Sequence, residues 1–125
     1  MTETGSFSAN IDHEQVAESR DILGDNFAVL VKKFIVDAED HLLEMSVLRG
    51  AGQDHEVGAY AHQLKSSAFQ VGAIKVSAIA STLDKLINDN QDNIHHMDVQ
   101  TKLDSLIEAL QTALHDYKSE IQNYL

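Results

Sequence analysis

Residues 98–125, DVQTKLDSLIEALQTALHDYKSEIQNYL, carry apolar side chains at Val99, Leu103, Leu106, Leu110, Leu114, Tyr117, Ile121 and Leu125. Steps of three and four keep this set on one stripe for roughly seven turns of α-helix, with Asp98 as the expected N-cap. The same step recurs upstream. Val76, Ile79, Ala80, Leu83, Leu86 and Ile87 form a second stripe that fades in the polar run Asn88 to Asn93. Val57, Tyr60, Ala61, Leu64, Ala68 and Val71 form a third, restarted by Asp54 and ended by Gly72. Phe27, Leu30, Val31, Phe34, Ile35, Ala38, Leu42, Met45 and Leu48 form a fourth, capped by Asp25 and closed by Gly50 and Gly52. A short leading helix precedes them, with Asp12 and Gln15 spaced as a capping box and Gly24 at its end. No segment alternates apolar and polar residues as a half-buried strand does. The sequence therefore predicts an all-α fold: an antiparallel up-down-up-down four-helix bundle with an additional short N-terminal helix.

Composition agrees with one helical domain. The 125 residues suffice for a single core burying roughly 65–70% of the unfolded surface. The chain contains no proline and six glycines, so nothing forces its long helices to stop. It has no cysteine, which excludes a disulfide framework, thiolate metal sites and cysteine nucleophiles, and favours a reducing compartment. Residues 1–11 lack periodicity and read as a mobile tail, with the bundle domain over 12–125. Nine Lys and Arg against twenty Asp and Glu give a net charge of −11, which opposes nucleic acid and anionic membrane surfaces as partners. The N-terminus has no signal-peptide pattern and no apolar run approaches ~18 residues, so a cytoplasmic location is expected.

The histidines are the titratable candidates, seven in all. His13, His41, His55 and His115 sit among polar neighbours and read as surface residues. His95 and His96 are adjacent, so their side chains diverge, and no Cys, Asp or Glu spacing completes a tetrahedral set around them; no metal site is expected. His62 falls almost opposite the apolar stripe of its helix, and so on the outer face. Gly58 and Ala59 lie one turn before it, Lys65 and Ser66 one turn after. Three of these four neighbours have little or no side chain. A glycine inside a helix costs roughly 0.5–1 kcal/mol relative to alanine, and close approach of another molecule to the imidazole is one reason to keep Gly58. Lys65 would favour a negatively charged adduct on His62. The bland alternative, a wet helix face, stays open on spacing alone.

Ala61-His62-Gln63-Leu64-Lys65-Ser66-Ser67-Ala68, followed by Val71-Gly72-Ala73, closely resembles the signature of histidine-containing phosphotransfer (HPt) domains, Ala-His-x-Leu-Lys-Gly-Ser-Ser/Ala and then Gly-Ala. Phe34 to Leu48 and Leu83-Asp84 look like the family's flanking helices, so the resemblance runs from about Asp12 onward. It implies a free-standing four-helix bundle with His62 as phosphoacceptor and Lys65 beside the phosphoryl oxygens. Ser66 and Ser67 would keep the histidine accessible, and Gly72 would end the helix. Ser66 stands where glycine is commonest, and Phe69 where a small residue is usual; with Gly58 and Ala59 these frame the implied docking surface. Side chains of the preceding helix would contribute too, Met45 being better placed in the core.

The function implied is a phosphoryl carrier of a two-component multistep phosphorelay, moving the group between receiver-domain aspartates by way of phosphohistidine. The implied partners are receiver domains of a hybrid sensor kinase and of a response regulator. No cofactor is implied, magnesium being expected on the receiver, and no kinase or nucleotide-binding activity. An open donor surface favours a monomer. Two rival readings are a helical scaffold module, which would tolerate His62→Gln, and a histidine-rich metal buffer, which would depend on His95 and His96.

Overall fold

Asp12 opens the first helix by accepting the backbone N–H of Gln15 at 3.1 Å through its side chain. In the computed structural model, which describes residues 9–125, the helices run α1 (His13–Leu23), α2 (Asn26–Gly50), α3 (Asp54–Gln70), α4 (Ile74–Asp89) and α5 (Met97–Glu120), with a closing 3-10 turn at Ile121–Tyr124. No strand occurs among the described residues. The fold is an all-α four-helix bundle, α2 to α5, with α1 added. α2 packs on α3 and α5, and α4 packs on the same two, so α2 and α4 occupy diagonal corners.

Each bundle helix buries its apolar stripe. Val31, Phe34, Ala38 and Met45 of α2 meet Val57, Ala61, Leu64 and Ala68 of α3, Val76, Ala80, Leu83 and Ile87 of α4, and Leu103, Leu110, Ala113 and Tyr117 of α5 in one core. Tyr117 is its largest fully buried side chain. Its hydroxyl donates to the Val71 carbonyl at 2.7 Å and its ring meets Phe34 edge-on, 5.6 Å between centroids. Burial pushes the Tyr117 pKa well above its ordinary value.

The turn after α3 is a Schellman motif. The N–H of Ala73 reaches the Ala68 carbonyl at 2.9 Å and that of Gly72 reaches Phe69 at 3.2 Å. Gly72 has φ +73°, and a Cβ there would come within 2.5 Å of Val16, so the left-handed turn and the close seat of α1 both require glycine.

Several local expectations are corrected. The expected tail, residues 1–11, begins with residues 1–8, which lie outside the described residues; at its other end Ile11 is buried in the core. With Ile11 just before the cap and Val16 four residues after it both in the core, the helix start forms a hydrophobic staple. Gln15 does not close the capping box: its amide donates instead to the Phe69 carbonyl at 2.8 Å. Asp98 is not the cap of α5, because His96 occupies that position and accepts from the Asp98 N–H at 3.3 Å. Asp25 precedes α2 in helical geometry without a side-chain cap bond. Asp54 turns inward rather than capping α3, taking Arg49 at 3.1 Å and Gln100 at 2.8 Å. His41 is only half-exposed, its Nδ1 buried without a partner and its ring 5.4 Å from that of Tyr60, because it falls on the α2–α3 seam.

Candidate functional site: an imidazole on the seam of two helices

The core of α3 is set by Val57, Ala61, Leu64 and Ala68, and its opposite side is left to His62 and its neighbours. His62 stands out from the bundle with its side chain 64% exposed. It is not free-standing. Its Nδ1 lies 3.0 Å from Oδ2 of Asp84 on α4, a carboxylate only 14% exposed. Asp84 Oδ1 in turn accepts from Asn88 Nδ2 at 3.3 Å. Because a carboxylate can only accept, Nδ1 carries the proton and Nε2 of the neutral ring keeps its lone pair. Nε2 has no hydrogen-bond partner among the described residues.

The helix positions around His62 divide between two roles. Ala59 and Ser66 are exposed, as is Phe69, at 62%. These three follow the His62 side of α3 turn by turn. Phe69 lies two turns on and does not wall off the imidazole. Lys65 is half-buried beside it and makes no ion pair among the described residues.

Gly58 and Ser67 do not belong to this surface. Gly58 is buried, and a Cβ there would meet Ile87 Cγ2 of α4 at 3.4 Å. Its place on the helix turns it to α4, so the missing side chain admits a neighbouring helix rather than a partner molecule. Ser67 lies about 140° around α3 from His62. It is half-buried and donates to the Leu64 carbonyl at 3.4 Å, so it does not border the imidazole.

Beside the imidazole, α3 and α4 enclose a groove of about 550 Å³ lined by Lys65, Ser66, Phe69, Ile74, Ala78 and Ser81 among others. The groove neighbouring the site therefore involves the helix after α3, whereas the sequence pointed to the helix before it. On that preceding helix Met45 is fully buried. Ser77 anchors the floor by donating to the Lys65 carbonyl at 2.8 Å.

Asp84, Asn88 and Ser77 are the residues that sequence reasoning missed. Asp84 did carry a signal, being an acid flanked by the core positions Leu83 and Ile87, and so on the edge of a buried stripe. Only the pairing of α3 with α4 says which residue it faces. His95 and His96, the other candidate pair, separate: His95 lies 3.6 Å from Asp54 and His96 caps α5. Among the described residues no group of three or more His, Cys, Asp or Glu comes together to hold a metal ion. No helix among them is long and apolar enough to cross a membrane.

A four-helix bundle that presents one carboxylate-oriented imidazole midway along a helix defines a class of helical module built around a surface histidine. The model of the Hpt domain matches residues 29–113, and the chain belongs to that family. Neither the curated proteins nor the solved structures include a match. Membership implies histidine phosphotransfer in phosphorelay signalling, the family's domains being phosphocarrier modules that interact with receiver domains. The match begins within α2, so α1 lies outside it.

Proposed function

We propose that His62 is the phosphoacceptor of a multistep relay, taking a phosphoryl group from an aspartyl-phosphate of one receiver and giving it to the aspartate of another. The observation that carries this reading is the divided imidazole: Nδ1 held by Asp84, and Nε2 without a partner among the described residues on a ring whose side chain is 64% exposed. In the forward step the Nε2 lone pair attacks phosphorus in line with the departing carboxylate oxygen. The N–P bond forms as the P–O bond to aspartate breaks, and the carboxylate leaves with that electron pair. No proton need move, because Nε2 carries none. The ring becomes a phosphorylated imidazolium whose positive charge Asp84 faces, and Lys65 attends the phosphoryl oxygens. In the second step another aspartate attacks and neutral imidazole departs. The magnesium ion and acidic pocket come from the receiver, and this chain acts as a carrier without nucleotide chemistry.

The groove beside Phe69 supports docking over α3 and α4, with Ala59 and Ser66 leaving the approach to His62 low. The proposed partners are the receiver of a hybrid sensor kinase upstream and that of a response regulator downstream, meeting the protein in the cytoplasm. The test offers phosphorylated receivers to wild type and to His62→Gln and follows acid-labile, base-stable label. Label on wild type alone is expected; equal label on both moves the acceptor elsewhere.

A further inference from the structure

The face of α2 turned away from the bundle carries Val29, Val36, Leu43 and Val47, exposed to 66, 57, 64 and 59%. Separated by seven, seven and four residues, they lie within about 40° of one another and form a strip about 27 Å long. Isolated exposed aliphatics are ordinary, but four aligned on one helix face make a narrow apolar strip, with one residue every two turns over its first three positions. The buried side of α2 is the opposite one, carrying Phe27, Val31, Phe34, Ala38 and Met45. The strip thus lies away from the helices on which α2 packs, although Leu43 also borders a groove shared with Gln111 and His115 of α5, and His62 on the α3–α4 seam looks elsewhere.

The charges beside the strip name its occupant. Lys32 and Lys33 border its first half, Glu39 and Asp40 its second. If two α2 helices pack antiparallel about a twofold axis at Val36, Val36 meets Val36 and Val29 meets Leu43 of the second copy. On one flank Lys33 then stands level with Asp40 of the second copy to within about 1.5 Å along the axis, and on the other flank Lys32 with Glu39. A parallel pairing would set lysine on lysine and acid on acid. Lys33 already bonds Asp37, and Glu39 bonds Lys118, but both are exposed pairs that a second carboxylate or ammonium can share.

We infer that the outer face of α2 pairs antiparallel with α2 of a second copy of this chain, centred on Val36, leaving both His62 faces open. The inference is independent of the phosphotransfer reading. A one-helix seam falls below the roughly 800 Å² per partner of a standard interface, so the association is reversible, micromolar or weaker.

Sedimentation equilibrium up to about 1 mM protein tests it, in roughly 0.15 M salt so that repulsion between two copies of charge −11 is screened. Wild type forms dimers. Val36→Asp weakens them at least ~10-fold, because two carboxylates then meet on the axis. Lys33→Glu and Asp40→Lys each weaken self-association, yet an equimolar mixture of the two recovers wild-type affinity, since each supplies the charge the other lacks. All three sites of change are exposed, and circular dichroism verifies that the variants keep their helices. A wild type that stays monomeric, or a mixture no tighter than either variant alone, overturns the inference and leaves the strip to a different partner.

Discussion

Asp84 reaches across from α4 to hold Nδ1 of His62 at 3.0 Å, although 22 positions separate the two in the chain. The contact depends on how closely α3 and α4 run, and one turn away Gly58 faces Ile87 with room for little more than a methyl group. Orientation of the imidazole and packing of the two helices are therefore one structural fact.

Removing the carboxylate should slow phosphorylation of His62 without unfolding the bundle. Asp84→Ala frees the ring to rotate and to exchange tautomers, and a loss of ~10–100-fold in transfer rate is expected, by analogy with carboxylates that orient metal-bound histidines. Asp84→Asn keeps an acceptor oxygen but loses the charge opposite the imidazolium, and should fall between. Nitrogen chemical shifts of the ring check the mechanism: the Nδ1–H form dominates in wild type and gives way to a mixture in the alanine variant.

At Gly58 size decides the outcome. A Cβ meets Ile87 at 3.4 Å, an ordinary contact distance, so Gly58→Ala should fold at least as stably as wild type, gaining up to ~1 kcal/mol from helix propensity, and should still transfer phosphate. Gly58→Leu has no room, pushes α4 outward and separates Asp84 from His62. Thermal melts and transfer rates together distinguish this from the view that glycine is needed there to admit the receiver.

Asp54 is buried at 2% exposure and joins three elements, taking Arg49 from α2 and Gln100 from α5 while heading α3. Arg49 also pairs with Asp104. Asp54→Ala leaves a largely buried guanidinium short of a partner and should cost about 3 kcal/mol, measured by urea unfolding. Asp104→Ala removes a carboxylate that is 71% exposed and should cost less than ~1 kcal/mol.

Tyr117 predicts the alkaline limit. Burial raises its pKa from 10.0, so the folded protein holds the phenolic proton after the unfolded chain has begun to release it. Above pH 10 the unfolded state binds fewer protons than the folded one, and stability falls as pH rises. Tyr117→Phe should lose ~1–2 kcal/mol at neutral pH, where the Val71 carbonyl is left without its donor, and should show a shallower decline above pH 10. Unfolding curves at neutral and alkaline pH check both parts.

The helices were legible because their information is local. Apolar steps of three and four specify which side of each segment is buried, and Val99, Leu103, Leu110, Leu114 and Tyr117 all follow that rule. Asp12 was legible for the same reason, its bond closing three residues away. Gln15 was not, since its amide found a carbonyl 54 residues off. The site divides in the same way. The outward direction of His62 is a property of one helix and could be read from spacing, whereas Asp84 at its back depends on the register between two. Gly58 shows the converse error: an empty position on a helical wheel looks the same whether a helix or a solvent-borne partner fills it.

The start of α1 ties down the end of α3. Its Asp12 N–H holds the Gly72 carbonyl at 2.9 Å, and Gln15 holds that of Phe69, so the last turn of α3 is tethered from a segment outside the family match. Phe69 thereby projects from backbone that is held by hydrogen bonds on the side of α1. On the proposed docking surface, a receiver would have less disorder to freeze than it would at a frayed helix end. Alterations near residue 15 can consequently retune recognition from afar, with the transfer chemistry left untouched.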